Sequence, residues 1–387
     1  MKKILYVMKY PLHIQYSIMQ KLNGEIEGMQ RLGKDISFIS FDSEYLYLNE
    51  YSAEGERKRS IIRKTLWGKS KRYFHFIAFY DIYSAARRLI RENRYDMVYF
   101  RYSPLNWIGY TMVRSASKKS RLVVEIPTFP LKKVKMKNIF RRLYSYSSRL
   151  WWKKSAKHIT LFAVIGDKAS DFMGVPVINI HNGVNVDEIP VRHPSASPDG
   201  KIHLLAVASM SALHGYDRII RGLASWQDPM ARRYVLDMVG DEGDGSLQEW
   251  KVLVQKLGME DRVIFHGKMT GDALTNLYNQ ATIGISSLGI YRIGLKAASV
   301  LKLREYMARG LPFLYAHEDP DIEETMPWCL KMPNDDSDIP MEKLQEFIQS
   351  LSREKDLPDR MRAYAKKNMT WEKQFEKIFA RLEKSGQ

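Results

Sequence analysis

Short apolar runs alternate along the chain with longer stretches in which apolar residues recur at helical spacing. Short runs rich in β-branched and aromatic residues are typical of strands, and the longer periodic stretches are typical of helices. The predicted strands cover residues 3–8, 36–41, 96–101, 121–126, 158–165, 177–180, 201–208, 234–239, 262–266, 281–287 and 312–316. The predicted helices cover residues 15–32, 81–91, 271–280, 300–309, 339–352 and 359–382, the last with a break near 370–371, and another starts near 216. This alternation favours a parallel α/β architecture.

Residues 181–200 interrupt the alternation with the Pro, Ser, Asn and Gly composition of an interdomain linker. We therefore expect two doubly wound, Rossmann-like α/β domains that face each other across a cleft, residues 1–182 and residues 183–370. Such a cleft suits an enzyme that holds two substrates away from water.

The composition indicates a folded chain, because 45% of the 387 residues are hydrophobic and 12% are aromatic. A single cysteine, Cys329, excludes an internal disulfide and a multi-cysteine metal site. No apolar run approaches the roughly 18 residues of a membrane span, and the apolar run near the start is too short for a signal peptide. We expect a cytoplasmic protein.

Positive charge is concentrated in the first half. Residues 1–187 contain 34 Lys and Arg against 15 Asp and Glu, whereas residues 188–387 contain 27 against 29. Residues 57–72 and 131–157 mix basic with apolar and aromatic residues, as interfacial helices on anionic lipid do. The alternatives are a surface helix packed on the sheet and a site for single-stranded nucleic acid, which is disfavoured because no recognised module is present. The expected membrane-facing residues are Lys132, Lys133, Lys135, Lys137, Arg141, Arg142, Trp151 and Trp152.

Residues 281–316 predict a strand, a glycine-bearing loop, a helix capped by Ser299 and ended by Gly310, and a further strand. Ligands of such units bind at the carboxyl ends of the strands, where the helix start favours anions. Lys302 and Glu305 are three residues apart and hence share one helix face. The cation is placed to meet a phosphate and the carboxylate to accept two sugar hydroxyls. The alternative is an intrahelical Lys–Glu pair on a solvated face.

Several second-half segments, in this order and spacing, resemble the donor-binding domain of GT-B glycosyltransferases of family 4. They are residues 180–185 (IHNGVN), 214–218 (HGYDR), 239–241 (VGD), 263–267 (VIFHG) and 301–312 (LKLREYMARGLP). The resemblance implies retaining transfer of a sugar from a nucleotide diphosphate sugar to an acceptor hydroxyl. It also implies that residues 371–387 form a tail helix that returns to the first domain.

The resemblance assigns Glu305 to the nucleotide ribose, and Lys302 and Arg292 are the candidates for the diphosphate. Further donor-side candidates are Ser209, His214, Gly215, Gly240, Asp241, Gly267, Lys268, Ser299 and Leu301. On the acceptor side the candidates are His13 and Thr128.

Departures from the family pattern leave two interpretations open. Ala297 stands where many members have a second glutamate, Ser209 and His214 stand where an arginine and a lysine are usual, and a first-domain histidine is replaced near 128–129. Either other residues such as Arg292 make these contacts, or donor binding is weakened. The alternative functions are a non-catalytic scaffold subunit and a nucleotide-sugar epimerase of the same fold.

The resemblance implies a role in bacterial capsule or exopolysaccharide synthesis. The expected partners are a nucleotide sugar, with a UDP-sugar favoured, a lipid-linked or glycan acceptor, and an anionic membrane surface. Nucleic acid is disfavoured as a partner, and no cofactor and no metal are expected. The expected location is the inner face of the plasma membrane, with peripheral attachment.

Overall fold

The computed structural model describes residues 1–9, 16–66, 74–131, 139–195, 197 and 199–384. The chain divides into two compact units. The first contains Met1–Gly183 and the segment from Trp371 onward, and the second is Val184–Thr370.

A nine-stranded sheet forms the first unit, in the order β4-β3-β2-β1-β5-β6-β7-β9-β8. Its strands are β1 (Lys3–Val7), β2 (Asp35–Phe41), β3 (Tyr45–Tyr51), β4 (Arg57–Lys64), β5 (Met97–Arg101), β6 (Arg121–Phe129), β7 (Leu161–Gly166), β8 (Asp171–Phe172) and β9 (Val175–Asn179). Pairing is parallel between β2, β1, β5, β6, β7 and β9 and antiparallel for the other pairs.

A six-stranded sheet forms the second unit, in the order β12-β11-β10-β13-β14-β15. Its strands are β10 (Ile202–Val207), β11 (Tyr234–Val239), β12 (Val263–Gly267), β13 (Ile283–Ile285), β14 (Phe313–Tyr315) and β15 (Cys329–Lys331). All of its pairs are parallel.

Helices connect the strands in both units. They are α1 (Tyr16–Arg31), α2 (Phe74–Glu92), α3 (Trp107–Ala116), α4 (Ile139–Ser155), α5 (Tyr216–Ser225), α6 (Ser246–Leu257), α7 (Gly271–Gln280), α8 (Leu301–Arg309), α9 (Met341–Leu351), α10 (Leu357–Asn368) and α11 (Trp371–Lys384). The predicted α/β class, with two doubly wound parallel-sheet domains, is confirmed. Among the described helices none combines the length and the apolar content that spanning a bilayer requires.

α11 packs against α1 in the first unit. Two glycines of α1 permit the approach, because a Cβ at Gly24 or Gly28 would come within 2.4 or 2.6 Å of Trp371. The far side of the same sheet packs against α2, α3 and α4, where Phe100 and Trp152 belong to one buried cluster.

The hairpin of β3 and β4 was not predicted from the sequence. Its basic strand lies beside tyrosines of its partner, with Arg59 3.9 Å from the ring centre of Tyr47 and Arg57 5.3 Å from that of Tyr51. These cations therefore make cation–π contacts within the protein.

Trp152 is a core residue, and its predicted place on a membrane surface is wrong. The side chain is fully buried, its ring stacks on Tyr102 at 4.4 Å and on Phe100 at 5.6 Å, and Nε1 donates to the Ser103 carbonyl at 3.0 Å. Trp151 is half-buried, and Arg142 is exposed. Four of the predicted cations lie outside the described residues, Lys132, Lys133, Lys135 and Lys137, as does the side chain of Arg141.

Candidate active site

The carboxyl ends of β10, β11 and β12 are joined through backbone hydrogen bonds. Gly240 donates to the Gly267 carbonyl and Met210 donates to the Asp241 carbonyl, both at 2.8 Å. Gly240 has a φ of 142°, and a Cβ there would lie 1.6 Å from the Ala208 carbonyl oxygen, so no side chain fits. Several predicted donor-side residues lie at this edge of the sheet. The exposed ones are Ser209, Asp241, Gly267 and Lys268.

Lys302 lies in the first turn of α8, and its ammonium group points to the loop that follows β10. Nζ donates to the Tyr216 hydroxyl at 2.7 Å and lies 3.0 Å from Nδ1 of His214. Gly215 adopts a φ of 60° and lets the loop after β10 pack on the loop after β13, because a Cβ there would lie 2.7 Å from the backbone nitrogen of Gly289. Burial lowers the pKa of Lys302 well below its ordinary value.

The contact with Lys302 defines the tautomer of His214. A charged Lys302 only donates, so Nδ1 of His214 then accepts and the neutral imidazole carries its proton on Nε2. Burial, with the charge of Lys302 as the next contribution, lowers the pKa of His214 well below its ordinary value. The Ser287 hydroxyl lies 2.9 Å from the same Nδ1. Of the three ammonium N–H groups, the part of the chain that the structure describes provides partners for two and leaves one for a ligand.

Glu305 lies one turn further along α8. Its Oε1 accepts a hydrogen bond from Nε of Arg309 at 2.9 Å, and 28% of its side chain is exposed. The hypothesis of a Lys302–Glu305 pair on a solvated face is therefore wrong: the lysine turns to the β10 loop and the glutamate to the next turn. Glu305 also adjoins the buried phenol of Tyr278, whose pKa is raised well above its ordinary value by burial first and by this carboxylate second.

The start of α8 differs from the prediction. The helix begins at Leu301 with Val300 as its N-cap residue and without a side-chain cap, so the predicted cap at Ser299 is wrong. Ser299 is buried with 7% exposure. The loop before it pairs with the segment after β14, where Ala298 donates to the Glu318 carbonyl at 2.9 Å. Ala297, at the position of the missing family glutamate, belongs to this bridge.

Arg292 does not offer its guanidinium group to a phosphate, and this prediction is corrected. All five N–H groups have partners: Nε donates to the Tyr291 hydroxyl, Nη1 to Ala212 and Asp217, and Nη2 to Asp217 and Asp336, at 2.7–3.2 Å. The bidentate contact expected for a diphosphate is made with Asp217 instead. Arg292 therefore joins the loop after β13 to α5.

Arg292→Lys is expected to lower stability rather than donor affinity. Lysine cannot reproduce the fork that bonds Asp217, so we expect the free energy of unfolding to fall by about 1–3 kcal/mol. Denaturant unfolding measures this loss, and titration with nucleotide diphosphates measures affinity. A large loss of affinity with unchanged stability would return Arg292 to the ligand site.

Tyr216 and Ser287 were not predicted as site residues from the sequence. Both had a signal, because Tyr216 follows the His-Gly pair at a predicted helix start, and Ser287 ends the predicted strand 281–287 at the edge where ligands bind. In the first unit, Thr128 is exposed near the end of β6 and its hydroxyl donates to the Pro127 carbonyl at 2.8 Å. His13 lies outside the described residues. Within the described ranges, no three His, Cys, Asp or Glu side chains are arranged to hold a metal ion.

Comparison with known proteins gives one family match. Residues 187–325 match the family model described as glycosyl transferases group 1. No curated protein has a sequence that matches this chain.

Solved structures of glycosyltransferases share the fold over the whole length. Sucrose-phosphate synthase from Thermosynechococcus elongatus has 15% identity, a TM-score of 0.64 and coverage of 100% of both chains. The catalytic domain of starch synthase IV from Arabidopsis thaliana, bound to ADP and acarbose, has 12% identity, a TM-score of 0.63 and coverage of 98% of both chains. Anabaena HepE in complex with UDP-glucose has 12% identity, a TM-score of 0.55 and coverage of 99% of this chain and 100% of its own. The chain thus carries a glycosyl transferases group 1 domain and is a glycosyltransferase, with structural neighbours of the GT-B fold.

Proposed function

We propose that the protein is a retaining glycosyltransferase that resembles family 4 and binds a nucleotide diphosphate sugar at the carboxyl edge of the second-unit sheet. One observation carries this proposal. The ammonium group of Lys302 is held by Tyr216 and His214 with one N–H group left over, and the Glu305 carboxylate lies one helical turn away. A cation and a carboxylate at this spacing match the diphosphate and the ribose of such a donor.

Lys302 takes the role of the loop cation that is usual in the family. His214 stands at that position, and its Nδ1 is 3.0 Å from Nζ of Lys302, so α8 brings a cation to within a few ångströms of the place that the loop cation would occupy. This relocation differs from the one expected at Arg292, whose donors are already used. It favours an active enzyme over a non-catalytic scaffold.

The chemistry follows from where charge develops. As the bond between the sugar and the diphosphate breaks, the leaving phosphate gains negative charge. The Lys302 ammonium, together with the amides at the start of α8, stabilises that charge more in the transition state than in the ground state. Glu305, oriented by Arg309, accepts hydrogen bonds from the ribose hydroxyls and fixes the nucleoside. The acceptor hydroxyl oxygen then bonds the anomeric carbon with retention, its proton passes to the leaving phosphate, and the nucleotide diphosphate is released.

We further propose that the donor is a UDP-sugar and the acceptor a lipid-linked glycan, in bacterial surface polysaccharide synthesis and without a metal cofactor. The likeness to HepE with UDP-glucose supports the donor. The excess of 34 Lys and Arg over 15 Asp and Glu in residues 1–187 supports peripheral attachment to an anionic membrane, where a lipid-linked acceptor resides.

A panel of UDP-, GDP- and ADP-sugars tests the proposal. One donor is expected to raise the melting temperature and, with lipid-linked acceptor, to yield a product of retained anomeric configuration. Absence of binding by any donor would favour the scaffold, and conversion of the free nucleotide sugar without acceptor would favour the epimerase.

Donor binding is expected to take up a proton. Burial lowers the pKa of Lys302 in the free protein, whereas a bound diphosphate favours the charged ammonium and raises that pKa. Donor affinity is therefore constant at pH values below the pKa of Lys302 in the free protein. It falls as the pH rises from that value to the pKa of Lys302 in the complex. Calorimetry from about pH 6 to about pH 9, in buffers of different ionisation enthalpy, measures the uptake. Lys302→Met should remove it, and binding without proton uptake throughout this range would contradict the assignment.

A further inference from the structure

Exposed large apolar side chains are concentrated in the first unit. Among the described residues ten such side chains are markedly exposed, and eight of them belong to this unit. Those eight are Ile61, Leu66, Tyr80, Trp107, Leu131, Leu143, Tyr146 and Leu150. Three of the eight lie on α4, more than on any other element.

The three apolar residues form one stripe along α4. Leu143, Tyr146 and Leu150 are 59%, 64% and 44% exposed, and their spacings of three and four residues place them on one helix face. The opposite face is fixed to the protein, because Trp152 is fully buried and the buried Ser148 hydroxyl accepts from the Leu105 amide at 2.8 Å. We call the exposed set of Leu143, Tyr146 and Leu150 the outer stripe.

Basic residues run beside the outer stripe. Arg142, Arg149 and Lys153 are exposed, and their spacings of seven and four residues place them in a neighbouring row of the helix. Residues 126–166 contain ten Lys and Arg and no Asp or Glu, so α4 has no acidic residue of its own to neutralise them. An apolar row flanked by cations that have no acidic partner on their own helix is the pattern of a helix that lies in the headgroup region of an anionic membrane.

We propose that the outer stripe inserts into an anionic lipid bilayer, with Arg142, Arg149 and Lys153 bound to the headgroups. The proposal rests on the proposed function, because a lipid-linked acceptor is presented at such a surface. The inserted residues are then Leu143, Tyr146 and Leu150 rather than Trp152. Their insertion adds an apolar contribution to the electrostatic attraction expected from the sequence.

The charge pattern favours lipid over other occupants. A second copy of this chain docked on the same face would bring a second row of cations against the first, which like-charge repulsion disfavours. Single-stranded nucleic acid requires stacked aromatic rings, and Tyr146 is the sole aromatic residue of the outer stripe.

Vesicle sedimentation tests the insertion. The full chain is mixed with phosphatidylcholine vesicles containing about 30% phosphatidylglycerol and with vesicles of phosphatidylcholine alone, at low and high salt. The triple variant L143S/Y146S/L150S should lose at least about tenfold in partitioning to the anionic vesicles at either salt concentration. The variant R142S/R149S/K153S should lose a similar factor at low salt and less at high salt, where charges are screened.

A matched control uses the two exposed apolar residues of the second unit, Val252 and Leu257, which are 55% and 38% exposed on α6. V252S/L257S should bind vesicles as the unchanged protein does. Full binding by L143S/Y146S/L150S, or a change in its sedimentation velocity without lipid that reveals a dissociated dimer, would overturn the proposal. Donor-induced stabilisation, measured on the same samples, reports separately on the proposed function and should be equal in every variant.

Discussion

Glu305→Ala is expected to abolish sugar transfer and to leave the fold intact. The proposed pair of hydrogen bonds from ribose hydroxyls to a carboxylate contributes about 1.5–3 kcal/mol each, so we expect kcat/KM to fall by at least about two orders of magnitude. Stability should fall by only about 1–3 kcal/mol, because Arg309 is buried with 8% exposure and loses this ion pair but keeps its contact with the Tyr278 ring. Steady-state transfer assays and thermal unfolding measure the two effects.

Glu342→Ala is the control for this substitution. Glu342 is an exposed glutamate in the first turn of α9 and has no part in the proposed site. Turnover equal to that of the unchanged protein is expected for Glu342→Ala. Equal turnover for Glu305→Ala would remove Glu305 from the site.

Lys302→Met is expected to weaken donor binding by about 10- to 10²-fold and to lower kcat as well. The substitution keeps an apolar chain of similar length but removes the single ammonium group that the site holds on Tyr216 and His214. Charge-assisted hydrogen bonds to phosphate are worth about 1.5–3 kcal/mol, and the developing charge of the leaving group increases the loss in kcat.

The unliganded variant should change in stability by no more than about 1–3 kcal/mol, because removing an amine whose charged form burial disfavours is offset by loss of the hydrogen bond to the buried Tyr216 hydroxyl. Thermal unfolding with and without the nucleotide diphosphate separates stability from affinity. Lys343→Met, on the exposed surface of α9, serves as the control. Unchanged donor affinity in Lys302→Met would show that the diphosphate binds elsewhere.

Periodicity predicted the elements with strong local signals. β11 and α7 have the predicted bounds, Tyr234–Val239 and Gly271–Gln280, because tight turns punctuate both. The hairpin of β3 and β4 was missed because the second strand carries basic residues where a buried strand would carry apolar ones. Trp152 was misplaced since basic neighbours in the sequence do not reveal which face of α4 packs on the sheet.

Only the part of the candidate site that lies within one helix could be predicted from the sequence. Lys302 and Glu305 lie in one helix, and their spacing placed both on α8. The partners of Lys302 and of Arg292 come from distant parts of the chain: His214 is 88 residues from Lys302, and Asp217 is 75 residues from Arg292. A guanidinium group binds a carboxylate as readily as a phosphate, so composition could not distinguish the two partners.

The most direct test is a crystal structure of the protein with the nucleotide diphosphate that stabilises it most. We expect both ribose hydroxyls to lie within about 2.6–3.2 Å of the Glu305 carboxylate and a phosphate oxygen to lie at the same range from Nζ of Lys302. A nucleotide bound away from α8, with Glu305 still paired to Arg309 alone, would contradict this expectation.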